Sequence, residues 1–325
     1  MGRAPVFRET AEVDEFDAAV VAEPLAGPPR RSRGRCDGSR HTAAERLPVR
    51  VSAVIPALNE AENLPHVLTK LPADLYEVIL VDGHSIDRTP ELARELLPEI
   101  RVVQQTRRGK GNALECGFLQ ARGDIIVMLD ADGSTDPAEI PRYVDALLQG
   151  AHFAKGSRFL AGGGSEDITR FRSLGNRGLV RLANVGTGAR YTDLCYGYNA
   201  FWRACLSTLG FDRDHAAAAS DSMQWGDGFE IETLINIRAA QAGLKVVEVP
   251  SFEHSRMYGR SNLNAFVDGF RVLRTIATEA WGRRASGEQV ASENVIDLTA
   301  SISDTSHGAS AERPAVSASW MQAPF

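Results

Sequence analysis

Gly123-Asp-Ile-Ile-Val-Met-Leu-Asp-Ala-Asp-Gly-Ser134 decides how this chain is read. Ile125 to Leu129 is an apolar run of strand length, bounded by Gly123 before it and Gly133-Ser134 after it. Asp130 and Asp132 follow the run at once. In an open α/β sheet, ligands bind just beyond the carboxyl ends of the strands. An Asp-x-Asp placed there offers hard oxygen ligands to a divalent cation that bridges to a diphosphate. A polar turn closing a strand explains the same residues in isolation, so the neighbouring segments decide.

Upstream, Val51–Ile55 predicts a first strand, broken by Pro56-Ala-Leu-Asn-Glu60 and followed by a helix to about Leu71. Glu77–Val81 predicts a second strand. Asp87 then caps a helix over Arg88–Leu97, with Pro90 in its first turn. Arg101–Gln104 is a third strand, leading through Arg107-Arg-Gly-Lys-Gly-Asn112 into a helix over Ala113–Arg122. The quoted strand is the fourth, and a helix over Pro137–Leu148 follows it. This alternation predicts an α/β fold: a doubly wound, mostly parallel sheet with helices on both faces.

The second half is less regular. It predicts a strand at His152–Gly156, a flexible Ala161-Gly-Gly-Gly-Ser165 loop that suits a lid, and a helix over Leu174–Val185. An extended aromatic stretch at Tyr191–Trp202, a helix over Phe229–Ala242 and a strand at Lys245–Val249 come next. In a last helix, Asn262–Trp281, the stripe Leu263, Phe266, Val267, Phe270 and Leu273 reads as packing against the sheet, with a membrane interface as the alternative.

Of the 325 residues, 43% are hydrophobic and 24% charged, which is ordinary for a globular protein. The net charge of −6 shows no global nucleic-acid footprint, and no nucleic-acid partner is expected. Cys36, Cys116, Cys195 and Cys205 are scattered, which argues against a zinc site or disulfide framework and for a reducing, cytoplasmic compartment. No apolar run approaches the ~20 residues of a transmembrane helix. The acidic N-terminus lacks the apolar core of a secretory signal, so a membrane role would be peripheral, at the inner face. Residues 1–47 and 283–325 lack helix or strand periodicity and read as disordered tails around a domain at 48–282. The Arg-rich part of the first tail suits acidic lipid or nucleic acid, and a solvated linker is the plainer reading.

Two loops carry further chemistry. Asp82, at the end of the second strand, suits hydrogen bonds from a base or ribose. Arg107-Arg-Gly-Lys-Gly111 sets cations and glycines at a helix N-terminus, which suits an anion, although a solvated basic turn is equally consistent. It lacks Walker spacing, and no Gly-x-Gly-x-x-Gly follows the first strand, which counts against a dinucleotide oxidoreductase.

An ordered set of pieces now matches a family. These are Val54-Ile-Pro-Ala-Leu-Asn-Glu60, Val81-Asp-Gly-His-Ser-Ile-Asp-Arg-Thr89, Gly109-Lys-Gly-Asn-Ala113, Asp130-Ala-Asp132, Gly156-Ser-Arg158, Thr192-Asp193, Asp227-Gly-Phe-Glu-Ile-Glu232 and Val249-Pro250 with Arg256-x-x-Gly-x-Ser261. Over roughly residues 49–275 the chain resembles the family 2 glycosyltransferases of GT-A (Rossmann-like) fold, and within them the dolichyl- or polyprenyl-phosphate sugar synthase branch.

The resemblance implies that Pro56, Leu58, Glu60 and Asp82 line a nucleotide pocket, with Asp82 reading the base. It places Lys110 near the donor, Asp130 on the nucleotide side and Asp132 on Mg2+ or Mn2+. Arg158 and Arg256 would pair with phosphate. His254 would be a second metal ligand, with a surface histidine as the alternative. Asp227, Glu230 and Glu232 are the candidate general bases for a hydroxyl acceptor. Glu230 and Glu232 lie ~200° apart around a helix, so both cannot face one site, and complementing a helix dipole explains part of this run. The implied reaction is metal-dependent and inverting. It moves a hexose from a UDP- or GDP-sugar to polyprenyl phosphate, or alternatively to a soluble or glycan hydroxyl. Nucleotidyl transfer and an inactive nucleotide-sugar-binding protein weigh less, the first for want of a Gly-rich signature and the second because Asp130 and Asp132 are both present.

Overall fold

The computed structural model describes residues 49–211, 222–259 and 265–282. Both expected tails, Leu263 and the side chain of Phe266 lie outside the described residues.

Strands covered on both faces need almost unbroken apolar sequence. β1 (Val51–Ala57), β2 (Glu77–Asp82) and β4 (Ile125–Met128) have it, and their interiors are buried. With β3 (Arg101–Gln104), β5 (Phe153–Ser157), β7 (Asn199–Trp202) and β8 (Val246–Pro250) they form a seven-stranded sheet in the order β3-β2-β1-β4-β7-β5-β8. β7 alone runs antiparallel, between β4 and β5. A separate two-stranded pair joins β6 (Gly164–Ser165) to β9 (Phe252–Glu253). The mostly parallel, Rossmann-like sheet is therefore as expected.

Seven helices are described: α1 (Leu64–Leu68), α2 (Thr89–Leu96), α3 (Lys110–Gln120), α4 (Ile140–Leu148), α5 (Arg170–Thr187), α6 (Ile231–Gln241) and α7 (Ala265–Thr275). A π-helical segment, Ile276–Gly282, continues α7. The main core fills the space between the sheet and its helices. A smaller apolar cluster joins α5, α6 and α7 through Val180, Ala183, Ile237, Val272 and Ile276.

Four local expectations are corrected. Pro56 does not break β1, which runs to Ala57; pairing with β4 stops at Val54–Met128, so the missing N–H of Pro56 falls where one flank is already open. The Ala161–Ser165 loop is not a free lid, because Gly164 and Ser165 pair with Phe252 and Glu253. Of Tyr191–Trp202, only Asn199–Trp202 is a strand. The stripe of α7 faces away from the sheet: Val267, Phe270 and Leu273 are exposed, and Val272, Thr275 and Ile276 point inward.

α3 sits hard against the sheet. A Cβ at Gly117 would lie 2.4 Å from Val54 Cγ1 and 2.8 Å from Val81 Cγ2. Gly117→Ala is expected to destabilise the fold by about 1–3 kcal/mol through overpacking. Gly175→Ala, on α5 with nothing within 4 Å of the added methyl, should instead stabilise by about 0.5–1 kcal/mol. Urea unfolding of both variants measures the contrast.

Candidate active site

Parallel strands deliver their loops to one sheet edge, and the acids of this chain collect there. Asp82 ends β2, while Asp130 and Asp132 follow β4. Carboxylates crowded in a partly buried edge repel one another unless cations separate them. Lys110, Arg256 and Arg158 do so here.

Lys110, the first residue of α3, stands between two acids. Its Nζ lies 2.6 Å from Asp130 Oδ1 and 2.7 Å from Glu232 Oε1. Burial pushes both carboxyls above their usual range, and Lys110 opposes the rise. Burial also works against the ammonium, but Asp130 and Glu232 outweigh it and Lys110 titrates above its usual value. Gly197 closes the group. A Cβ there would lie 2.9 Å from Nζ and 3.2 Å from Glu232 Oε1.

Arg256 bridges the other pair. Nη2 lies 2.5 Å from Glu60 Oε1, and Nη1 lies 3.3 Å from Asp132 Oδ2. Asn63 Nδ2 donates to Glu60 Oε2 at 2.6 Å, yet burial still pushes the Glu60 carboxyl up. The segment carrying Arg256 is stitched down at both ends. His254 N donates to Ser134 O at 2.8 Å, and Tyr258 N donates to Asn63 Oδ1 at 3.0 Å. The resemblance puts Arg256 on phosphate; in this structure its guanidinium is held by these two acids and by the Tyr258 carbonyl, which accepts from Nε at 2.7 Å.

Arg158, which the resemblance also puts on phosphate, is otherwise employed. Nε and Nη2 donate to Asp193 at 2.7 and 3.0 Å, and Nη1 donates to Glu253 at 3.0 Å. The buried guanidinium also lies over the Tyr196 ring at 4.9 Å. It therefore ties β5 to the Asp193 loop and β9.

Asp227 is not placed as a base. Arg107 Nε and Nη2 grip it at 2.8 and 2.9 Å, with both side chains buried. The Asp227 carbonyl accepts from Gly111 N at 2.7 Å, so the expected anion site at the start of α3 is filled by the chain itself. Gly109 and Gly111 permit this, since Cβ atoms there would lie 2.1 Å from Asp227 O and 1.8 Å from Gly226 O. Glu230 Oε1 accepts from Gly226 N and Gly228 N, each at 3.3 Å, while its buried Oε2 has no partner among the described residues. The ~200° argument holds locally, because Glu232 alone of the two reaches Lys110.

Of the residues expected at a nucleotide, Pro56 lies in β1 and Leu58 is exposed just beyond it. Asp82 is only 1% exposed, covered by Ser85 N and by Gln104 Nε2, which donates at 2.8 Å. Its carboxylate does not face solvent as a direct reader of a base requires. His254 reaches the same edge through its backbone, but its imidazole is 48% exposed and turns to Glu166, with Nδ1 3.7 Å from Oε1. It does not join Asp132 in a ligand set. Among the described residues no three His, Cys, Asp or Glu side chains gather as a metal cage. Mg2+ is commonly bound through one or two carboxylates plus substrate phosphates, and the all-oxygen pair of Asp130 and Asp132 fits that mode.

Sequence reasoning missed Arg107 as the partner of Asp227, Gly197 as the cover of the Lys110 group, and Gln104. Only Gly197 left a trace, as a glycine between Tyr196 and Tyr198 in an otherwise bulky stretch.

The chain is a glycosyltransferase: it belongs to glycosyl transferase family 2, whose family model matches residues 52–210. It is 30% identical over 249 residues to an undecaprenyl-phosphate mannosyltransferase of Micrococcus luteus, a match covering 74% of this chain and 97% of that protein. It is 35% identical over 144 residues to a dolichol-phosphate mannosyltransferase of Pyrococcus furiosus, where the match spans 42% of this chain and only 41% of the relative. The fold is similar to that of glucosyl-3-phosphoglycerate synthase from Mycobacterium tuberculosis, solved with Mn2+ and UDP. That likeness has a TM-score of 0.53 at 21% identity and covers 71% of this chain and 80% of that one.

Asp193 links the site to pH. Burial opposes its ionisation, but Arg158 outweighs burial and holds the carboxyl below its usual range. A carboxyl with a depressed native pKa contributes fully above the unfolded value of ~3.9 and loses that contribution as pH falls through the native value. Melting temperature measured from pH 7 to pH 3 should therefore fall steeply below about pH 4. Asp193→Asn should start lower and show a flatter acid limb.

Proposed function

We propose that this enzyme transfers a hexose, with inversion, from a UDP- or GDP-sugar to a polyprenyl phosphate. The observation that carries this reading is that each candidate base is engaged through at least one carboxylate oxygen. Arg107 holds Asp227, Lys110 holds Glu232, and two backbone amides hold Glu230. A hydroxyl acceptor needs a base to take its proton, whereas a phosphate oxygen is already ionised. The names of the Micrococcus and Pyrococcus relatives, both lipid-phosphate mannosyltransferases, support the same acceptor class.

In this reading Asp132, with Asp130 beside it, holds Mg2+ or Mn2+ at the donor diphosphate, where the ion neutralises charge on the leaving group. The Mn2+ and UDP of the solved mycobacterial synthase support a divalent ion. Lys110 fixes the Asp130 carboxyl and opposes the effect of its burial. Arg256, anchored through Glu60, offers its Nη1 to a phosphate oxygen once Asp132 is committed elsewhere. Pro56 and Leu58 line the nucleotide side. The catalytic domain spans 48–282, between two tails.

A second reading keeps the hydroxyl acceptor. It rests on the buried Oε2 of Glu230, which has no hydrogen-bond partner among the described residues. Incubation with labelled UDP- and GDP-hexoses, followed by lipid extraction, separates the two. Label in the organic phase, near wild-type turnover in Glu230→Gln, and a loss of about a hundredfold or more in Asp132→Ala are expected. Label found only in a water-soluble product, with Glu230→Gln inactive, would transfer the assignment to the second reading.

The acceptor implies membrane contact at the inner face. No helix among the described residues is long and apolar enough to cross a membrane. α5 and α7 offer a peripheral surface: Leu174 is 69% exposed and Phe270 68%, and α5 carries Arg170, Arg172, Arg177 and Arg181 without one acid. The acid of α7, Asp268, is buried. Apolar side chains rimmed by arginine suit an anionic bilayer surface. Sedimentation with anionic vesicles should carry the protein down. A Leu174→Ser, Phe270→Ser double variant should stay in solution while keeping turnover on a short, water-soluble polyprenyl phosphate.

A further inference from the structure

The ends of β1, β2 and β3 lie in one row, with Ala57 beside Asp82 and Asp82 beside Gln104. Adjacent strands stand ~4.8 Å apart, so the row from Leu58 to Gln104 spans roughly 10 Å, about the width of a nucleobase shelf. The loops above it are held in place. Asn59 and His84 both adopt positive φ, 57° and 62°. Asn59 N donates to Ser85 Oγ at 2.9 Å, and Ile86 N donates to Asn59 Oδ1 at 2.8 Å.

Within this row the only exposed hydrogen-bonding side chain of the β2–β3 register pair is Gln104, since Asp82 is covered. Gln104 Nε2 donates to Asp82 Oδ2 at 2.8 Å. An ionised carboxylate only accepts, so it dictates which end of the amide faces it. The nitrogen must point at Asp82, and Oε1 must point away. Among the described residues Oε1 has no hydrogen-bond partner. Asp82 thus sets the orientation of an amide that would otherwise present either end.

We propose that Gln104 is the residue that reads the donor's nucleobase, and that Asp82 is a positioning residue that fixes its amide. The outward Oε1 accepts a hydrogen bond from a ring N–H, and the second Nε2 hydrogen donates to the adjacent carbonyl. Uracil and guanine carry that pair of groups. Cytosine and adenine present a ring nitrogen lone pair in its place, which opposes Oε1 and leaves both unpaired. This inference rests on the nucleotide-sugar reading above and deepens it.

The test is calorimetric, on the full chain with Mn2+, with UDP, GDP, CDP, ADP and inorganic diphosphate as ligands. Wild type should prefer UDP or GDP over CDP and ADP by roughly tenfold or more. Gln104→Leu, at an exposed position, should bring the four affinities together while diphosphate binding stays unchanged. Asp82→Asn should also narrow the preference, because a neighbouring amide no longer dictates the orientation of Gln104. An unaltered preference in Gln104→Leu overturns the proposal, as does a parallel loss of diphosphate affinity, which would mark a merely structural role. If wild type binds diphosphate but none of the four nucleotides, the donor reading itself falls and takes this inference with it.

Discussion

Lys110 stands between Asp130 and Glu232, and much of the site depends on that shared ammonium. Two carboxylates gathered on one ammonium repel each other, and the cation between them offsets that repulsion. The ammonium is held at the first turn of α3, and that turn is held by the loop before α6. Asp227 caps the turn through its carbonyl and locks Arg107 through its side chain. The same loop continues into α6 and delivers Glu232. Removing one charge from such a buried group leaves its partners uncompensated, typically by several kcal/mol.

The consequence for chemistry is a division of labour among acids. Asp130 and Asp132 are two residues apart and answer to different cations, Lys110 and Arg256. Arg158 serves a third pair, Asp193 and Glu253, and binds the smaller β6–β9 pair to the main sheet. In the proposed reading, such a site works through fixed charge rather than through a free base. That suits a reaction whose barrier lies in charge developing on a diphosphate leaving group.

Much of the fold was legible in the chain. Strands β1, β2 and β4 are short apolar runs separated by polar loops, and Arg101–Gln104 fell where expected. The acid pair after β4 was equally plain. Pairings between distant segments were not. Arg107 and Asp227 lie 120 residues apart, and neither neighbourhood names the other. The β6 and β9 strands have two residues each, too few for any periodicity to show. The stripe on α7 declared an amphipathic helix but not its facing, because exposed Phe270 and buried Val272 are equally apolar as letters.

The chain by itself determined the order of βα units, the edge where the loops collect, and the residue types found there, since periodicity and composition act locally along the backbone. Tertiary structure alone decided the use of each charged group. It turned Asp227 and Arg158 into internal ties, set Arg256 between Glu60 and Asp132, and put Gln104 in front of Asp82. The physical reason is that the state of a buried charge depends on its partner and its access to water. Both are properties of the packed molecule, not of the neighbours in sequence. For the Asp130–Asp132 strand end, the sequence marked where charge would gather, and packing determined which cation each acid would face.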